Sequence, residues 1–164
     1  MKRILLSITV ILAFGLMACN TQNKPNLEVR KVDSSQEQTT NNMKSFISIF
    51  EIPAMDISRA VNFYQAILDV NIEKIEMPEM DMGIFPYEGQ MVTGVIIQAE
   101  GYKPSANGTT IYLNGGDNLQ IILDKVEKNS GKIIVPKSLH ADESGYYALF
   151  LDSEGNKIGL HSPN

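Results

Sequence analysis

The chain has 164 residues, 43% of them hydrophobic, with 14 basic against 19 acidic side chains and a formal net charge of −5. That length accommodates one ordinary domain, and a single cysteine excludes an intramolecular disulfide framework. No basic run occurs beyond residue 3, which argues against a nucleic-acid partner.

The first element is a leader. Lys2-Arg3 is a short positive region, Ile4 to Met17 an apolar run too short for a comfortable membrane span, and Ala18 a small residue at its end. This is the pattern of a secretory signal peptide over residues 1–18. Leu16-Met17-Ala18-Cys19 resembles a bacterial lipobox. The resemblance implies that Cys19 is diacylated and becomes the mature N-terminus, and two acyl chains anchor stably where one does not. Asn20 is not the aspartate that typically holds such proteins at the inner membrane. An extracytoplasmic, membrane-anchored lipoprotein follows, with the outer membrane or the periplasmic face favoured. Residues 19–44 are rich in Asn, Gln, Ser and Thr and bury too little apolar surface to offset their ordering entropy, so they read as a flexible tether.

The domain is expected over residues 45–164. Phe46 to Ile52 is strand-like. Asp56 offers a helix cap, and Ile57, Ala60, Val61, Tyr64, Ile67 and Leu68 then fall on one helical face, ended by Asp69-Val70-Asn71. Strands follow near 72–76, 81–85 and 92–98, separated by Pro78, Pro86 and Gly89. The order then repeats. Thr109 to Asn114 is a strand, Gly115-Gly116 a turn and Asp117 or Asn118 a cap. Leu119, Ile122, Leu123 and Val126 mark a helix closed by Asn129-Ser130-Gly131. Strands near 132–135, 145–151 and 156–161 complete the chain. The last two form a hairpin around Asp152-Ser153-Glu154-Gly155-Asn156, a turn composition in which Gly155 or Asn156 takes positive φ.

The class is therefore α+β, with two tandem βαβββ modules over about 45–102 and 107–164. Neither module buries its sheet and helix well alone. Paired, they form a curved mixed sheet around a central cleft, with the helices outside.

Strand alternation assigns faces. Phe50, Ile52, Ile111, Leu113, Ile158 and Leu160 are uniformly apolar and suit the helix-packed core. Ile49 and Glu51, Thr110 and Tyr112, and Gly159 and His161 take the opposite face and line the cleft. Glu51, Tyr112 and His161 among apolar neighbours suit a small organic ligand. Glu51 and His161 admit two readings. As a pair, the carboxylate orients the imidazole and makes it a general base near neutral pH. Separately, they are a solvated acid and a histidine near the chain end. His140 belongs to a polar loop over 137–144 and reads as solvated, or as capping the cleft if that loop folds over it. Met77, Met80, Met82 and Met91 could offer copper thioether ligands, but their irregular spacing and lack of neighbouring histidines favour loop and core packing.

The run Phe50-Glu51-Ile52-Pro53-Ala54-Met55-Asp56 through Tyr64 resembles the opening strand and helix of a vicinal oxygen chelate module. Gly108 to Leu113, Lys125 to Ile134 and the closing hairpin Gly145 to His161 resemble its second module. The likeness to this superfamily of glyoxalase I, extradiol dioxygenases and bleomycin-resistance proteins covers about residues 45–162. It implies a divalent metal held by His, Gln and Glu on the first and fourth strands of each module. At three of those positions this chain has Ile49, Thr110 and Gly159, and the strand near 92–98 offers only Gln98. The family's metal site is therefore expected to be lost, leaving no cofactor. The open alternative is a divalent metal contacted two residues along, by Glu51 or His161. The resemblance further implies either a binding module for a small, partly apolar ligand or a lyase, isomerase or dioxygenase. It allows a homodimer through cleft sharing or module exchange.

Overall fold

A computed structural model describes residues 45–164. The expected signal peptide, Cys19 and the tether lie outside the described residues. Each module forms in the expected order. The first comprises β1 (Ile49–Pro53), α1 (Ile57–Leu68), β2 (Glu73–Met77), β3 (Met80–Ile84) and β4 (Thr93–Ala99). The second comprises β5 (Ile111–Asn114), α2 (Gln120–Val126), β6 (Lys132–Leu139), β7 (Tyr146–Leu151) and β8 (Lys157–Ser162). The sheets are mixed and equivalent, ordered β1-β4-β3-β2 and β5-β8-β7-β6. In both, the first strand runs parallel to the last and the remaining pairs are antiparallel.

Local chemistry explains the helix ends. Asp56 caps α1 by accepting from the Arg59 N–H at 2.9 Å, and Asp69 ends it at φ 55°. At α2 the Asn118 side chain accepts from the Gln120 N–H at 3.1 Å, and Ser130 (φ 73°) closes the following 3₁₀ turn. Among the described residues no helix is long and apolar enough to cross a membrane.

Three boundaries differ from the expectation. β1 starts at Ile49 rather than Phe46, because its partner β4 begins at Thr93, directly opposite Ile49. Phe46 is 99% exposed. β5 starts at Ile111, since Ser105 bonds both the N–H and the carbonyl of Asn107 and holds the approach in a bend. β6 continues to Leu139, past the expected end at 135, by absorbing two irregularities in its pairing with β7; these accommodate Pro136, which has no N–H to donate.

One core joins both modules. Ile52, Ile96, Leu113, Phe150, Ile158 and Leu160 of the strands pack with Tyr64, Ile67, Leu119, Leu123 and Val126. The alternation expected along β1, β5 and β8 is therefore observed: the helices cover one side of the sheets and leave the other open.

The Asp152–Asn156 turn locks the modules together. Gly155 takes the positive φ, at 94°, while Asn156 and Asp152 are buried. Asp152 accepts from the Tyr64 hydroxyl at 2.7 Å, from the N–H groups of Glu154 and Asn156 at 2.8 Å each, and from the Asn156 amide at 2.9 Å. Asn156 also donates to the Pro53 carbonyl and accepts from the Ser105 N–H. Glu154 reaches the start of α1, accepting from the N–H groups of Met55 and Asp56 and pairing with Arg59 through two nitrogens. Lys125 of α2 pairs with Asp69 at the end of α1.

Candidate functional site

β1 and β5 both contribute to two cavities between the sheets. Glu51 and Pro53 line a cavity of about 160 Å³ with Thr109 and Ile111. At the other end Phe50 lines a second, of about 520 Å³, with Leu113 and Asn114. The open face away from the helices carries the residues assigned to the cleft.

Register places the family's ligand positions on this face. Glu51 lies opposite Val95 as Tyr112 lies opposite Gly159, so the counterpart of Gly159 in the first module is Val95. Gln98 does not serve. It faces the helix side, where its Oε1 accepts from the Ile57 N–H at 2.7 Å. The four positions are thus Ile49, Val95, Thr110 and Gly159: two aliphatics, one hydroxyl and one residue with no side chain. They do not fit a divalent metal, which needs carboxylate, imidazole or several oxygen donors.

An aromatic side chain fills the space instead. A Cβ built on Gly159 would lie 2.4 Å from Tyr112 Cδ1, so the tyrosine ring rests directly on the Gly159 backbone. Half-exposed, the ring forms a flat wall. Beside it, Glu51 is exposed and oriented by Tyr102, whose hydroxyl donates to Glu51 Oε2 at 3.1 Å. That bond to a carboxylate raises the Tyr102 pKa above the usual phenol range. Lys103 and Lys157 border the Glu51 cavity and make its rim mixed in charge. Opposite Ile49, the Thr93 hydroxyl is buried without a hydrogen-bond partner among the described residues, a condition that costs about 1–3 kcal/mol when nothing meets it.

Glu51 and His161 have different partners. The His161 ring lies 5.4 Å from that of His140, which in turn lies 4.7 Å from Tyr147. His140 is therefore not a free loop residue. Its N–H donates to the Gly145 carbonyl at 2.9 Å, and Gly145 (φ 125°) tucks against the end of β8, where a Cβ would come within 2.5 Å of the Ser162 carbonyl. The loop folds back onto the sheet. The sequence offers His140 only as a loop residue able to cap the cleft and gives no signal for Tyr147, because the contact depends on positive φ at Glu143 (58°) and Gly145 (125°).

Comparison with known proteins places these features in a family. Residues 46–160 match the model of the Glyoxalase/Bleomycin resistance protein/Dioxygenase superfamily. No curated protein sequence matches. Among solved structures, a glyoxalase/bleomycin resistance protein from Albidiferax ferrireducens T118 superposes with a TM-score of 0.58 at 18% identity, covering 72% of this chain and 98% of that one. TnmS3, an antibiotic binding protein from Streptomyces sp. CB03234, gives 0.58 at 17% identity, covering 73% and 97%. Mutant V278E of glyoxalase I from Zea mays gives 0.55 at 16% identity; the match covers 71% of this chain but only 45% of the maize chain. At such identities the likeness establishes the fold.

Proposed function

The chain belongs to the Glyoxalase/Bleomycin resistance protein/Dioxygenase superfamily, and on that premise we propose that it holds a small, partly apolar organic ligand in its cleft without the family's metal. The observation that carries this reading is the Tyr112 ring lying on Gly159, where the family resemblance calls for a glutamate ligand. A metal position has become an aromatic wall. A planar or apolar ligand stacks on such a wall. Glu51, fixed by Tyr102, accepts a donor of the ligand, and the orphan Thr93 hydroxyl offers a further polar contact. The antibiotic-binding function of the structural relative TnmS3 supports binding rather than turnover as the use of the fold here.

Sequence supports the location. The leader over 1–18 and the Leu-Met-Ala-Cys segment make Cys19 the lipid attachment point and the protein an extracytoplasmic lipoprotein. Cys19→Ser then moves the protein from the membrane fraction to the soluble one; a variant that stays in the membrane overturns the anchor. A homodimer formed over the open face fits the same reading.

The test of ligand binding is a thermal-shift screen of small aromatic and heterocyclic compounds against the full chain, repeated on Tyr112→Ala and Glu51→Gln. Hits that stabilise the wild type and lose their shift in Tyr112→Ala support the reading. Hits that stabilise the variants equally, or stoichiometric metal with turnover of a vicinal-oxygen substrate, overturn it.

A further inference from the structure

The chain contains only two histidines, and the fold brings them together at the end of the open face. We propose that His140 and His161 form a two-imidazole site for a borderline transition-metal cation of the Cu²⁺, Ni²⁺ or Zn²⁺ class. The site is separate from the family's metal positions and from the Tyr112 wall.

The ring spacing fits a shared cation. The ring centroids are 5.4 Å apart and the planes tilted by 48°. Two imidazoles bound to one tetrahedral ion through nitrogen–metal bonds of about 2.0–2.1 Å place their centroids about 5.3 Å apart. The spacing in the protein matches that value for a tetrahedral ion such as Zn²⁺; a tetragonal ion such as Cu²⁺ draws two neighbouring imidazoles closer, to about 4.5 Å.

Both rings are held from the backbone. His161 lies in β8, directly opposite Tyr147 of β7. His140 ends the β6 side of the hairpin and is closed by two bonds across the loop: its own N–H to the Gly145 carbonyl, and the Glu143 N–H to the His140 carbonyl. Tyr147 packs its ring against His140 at 4.7 Å and 40°, limiting the rotamers of that imidazole. Any side chain at Gly145 would approach His161 Nε2 to 3.2 Å, so the glycine is needed for the loop to lie this close to the ring. The Tyr147 contact restrains the His140 ring, which lowers the freedom that ring loses on binding.

Chemistry selects the class of cation. Neutral imidazole suits Cu, Ni and Zn, with Cu²⁺ bound most tightly in the usual order of affinities, and does not suit Mg²⁺ or Ca²⁺. No group of three or more His, Cys, Asp or Glu that could hold a metal occurs among the described residues. Protein supplies two donors, and water or an external ligand supplies the rest. His161 is exposed and His140 half-buried, which gives the ion a path in.

The experiment uses the full chain with Cys19→Ser, which removes the sole thiol as a competing donor, stripped with chelator and titrated with Cu²⁺, Ni²⁺ and Zn²⁺ at neutral pH by calorimetry. One equivalent of Cu²⁺ is expected, with electron paramagnetic resonance showing two equatorial nitrogens. His140→Ala and His161→Ala should each weaken binding by about tenfold or more, because either one breaks the chelate. Tyr112→Ala should leave metal binding unchanged, which separates failure here from failure of the ligand reading. Thermal melts of the stripped variants establish that they fold. Absence of binding by the parent protein to all three ions, or binding retained in both single variants, overturns the proposal.

Discussion

Removing one oxygen atom from the core tests the lock between the modules. Tyr64→Phe deletes the hydroxyl that donates to Asp152 at 2.7 Å and leaves the ring in place, T-shaped against Phe63 and Phe85. Tyr64 is fully buried, and its phenol pKa is pushed well up, first by burial and then by the Asp152 charge. The hydroxyl therefore stays protonated and acts only as a donor. A hydrogen bond to a charged group contributes about 1.5–3 kcal/mol. Asp152 keeps its other donors from Glu154 and Asn156, so the loss stays near that range. With about 3–5 °C per kcal/mol for a domain of this size, the melting temperature should fall by about 5–15 °C. Asp152→Ala is harsher. It orphans the Tyr64 hydroxyl, the buried Asn156 N–H and the part-buried Glu154 N–H and should cost about 3–5 kcal/mol, a large share of the 5–15 kcal/mol typical of a whole domain. Urea denaturation of both single variants and the double variant gives their coupling, expected at about 1–3 kcal/mol. A Tyr64→Phe cost below about 0.5 kcal/mol, or strict additivity with Asp152→Ala, would refute the lock.

Three further outcomes follow from the same contacts. Burial alone would raise the Glu154 pKa, but the bonds from Arg59, Met55 and Asp56 hold it below the ordinary carboxylate value. Its stabilisation is therefore complete above the unfolded pKa of about 4.3 and disappears as pH falls through the lower folded value. Urea midpoints of Glu154→Gln should lie below wild type at neutral pH and converge with it in acid; parallel curves would remove Glu154 as the source. Gly159→Ala should displace the Tyr112 ring and cost about 1–3 kcal/mol through overpacking, with Gly159→Ala/Tyr112→Ala recovering part of the melting temperature. An uncoupled pair would show that the ring does not rest on Gly159. Gln98→Leu should cost about 1 kcal/mol by leaving the Ile57 N–H without its acceptor; a melting temperature equal to wild type would count against that contact.

Much of the fold was legible because it rests on local rules. The apolar spacing from Ile57 to Leu68 and the Asp56 cap mark α1 without reference to the rest of the chain. Strand alternation divided Phe50, Ile52, Leu113 and Leu160 from Glu51, Tyr112 and His161, since the side-chain period of a strand is two wherever it lies. The strand ends were less legible: where β1 starts and β6 stops depends on the partner strand's length and on irregularities that only pairing reveals.

The sequence by itself determined two βαβββ modules and the family likeness, because periodicity and residue identity are properties of the chain. Tertiary structure alone decided the rest. It assigned the fourth ligand position to Val95 rather than Gln98, through cross-strand register. It laid Tyr112 on Gly159 and turned Asp152 from a hairpin residue into the buried acceptor for Tyr64. It brought His140 to His161 from a loop that composition marks as solvated. Each of these is a contact between residues far apart in sequence, and such contacts exist only after the chain has closed on itself.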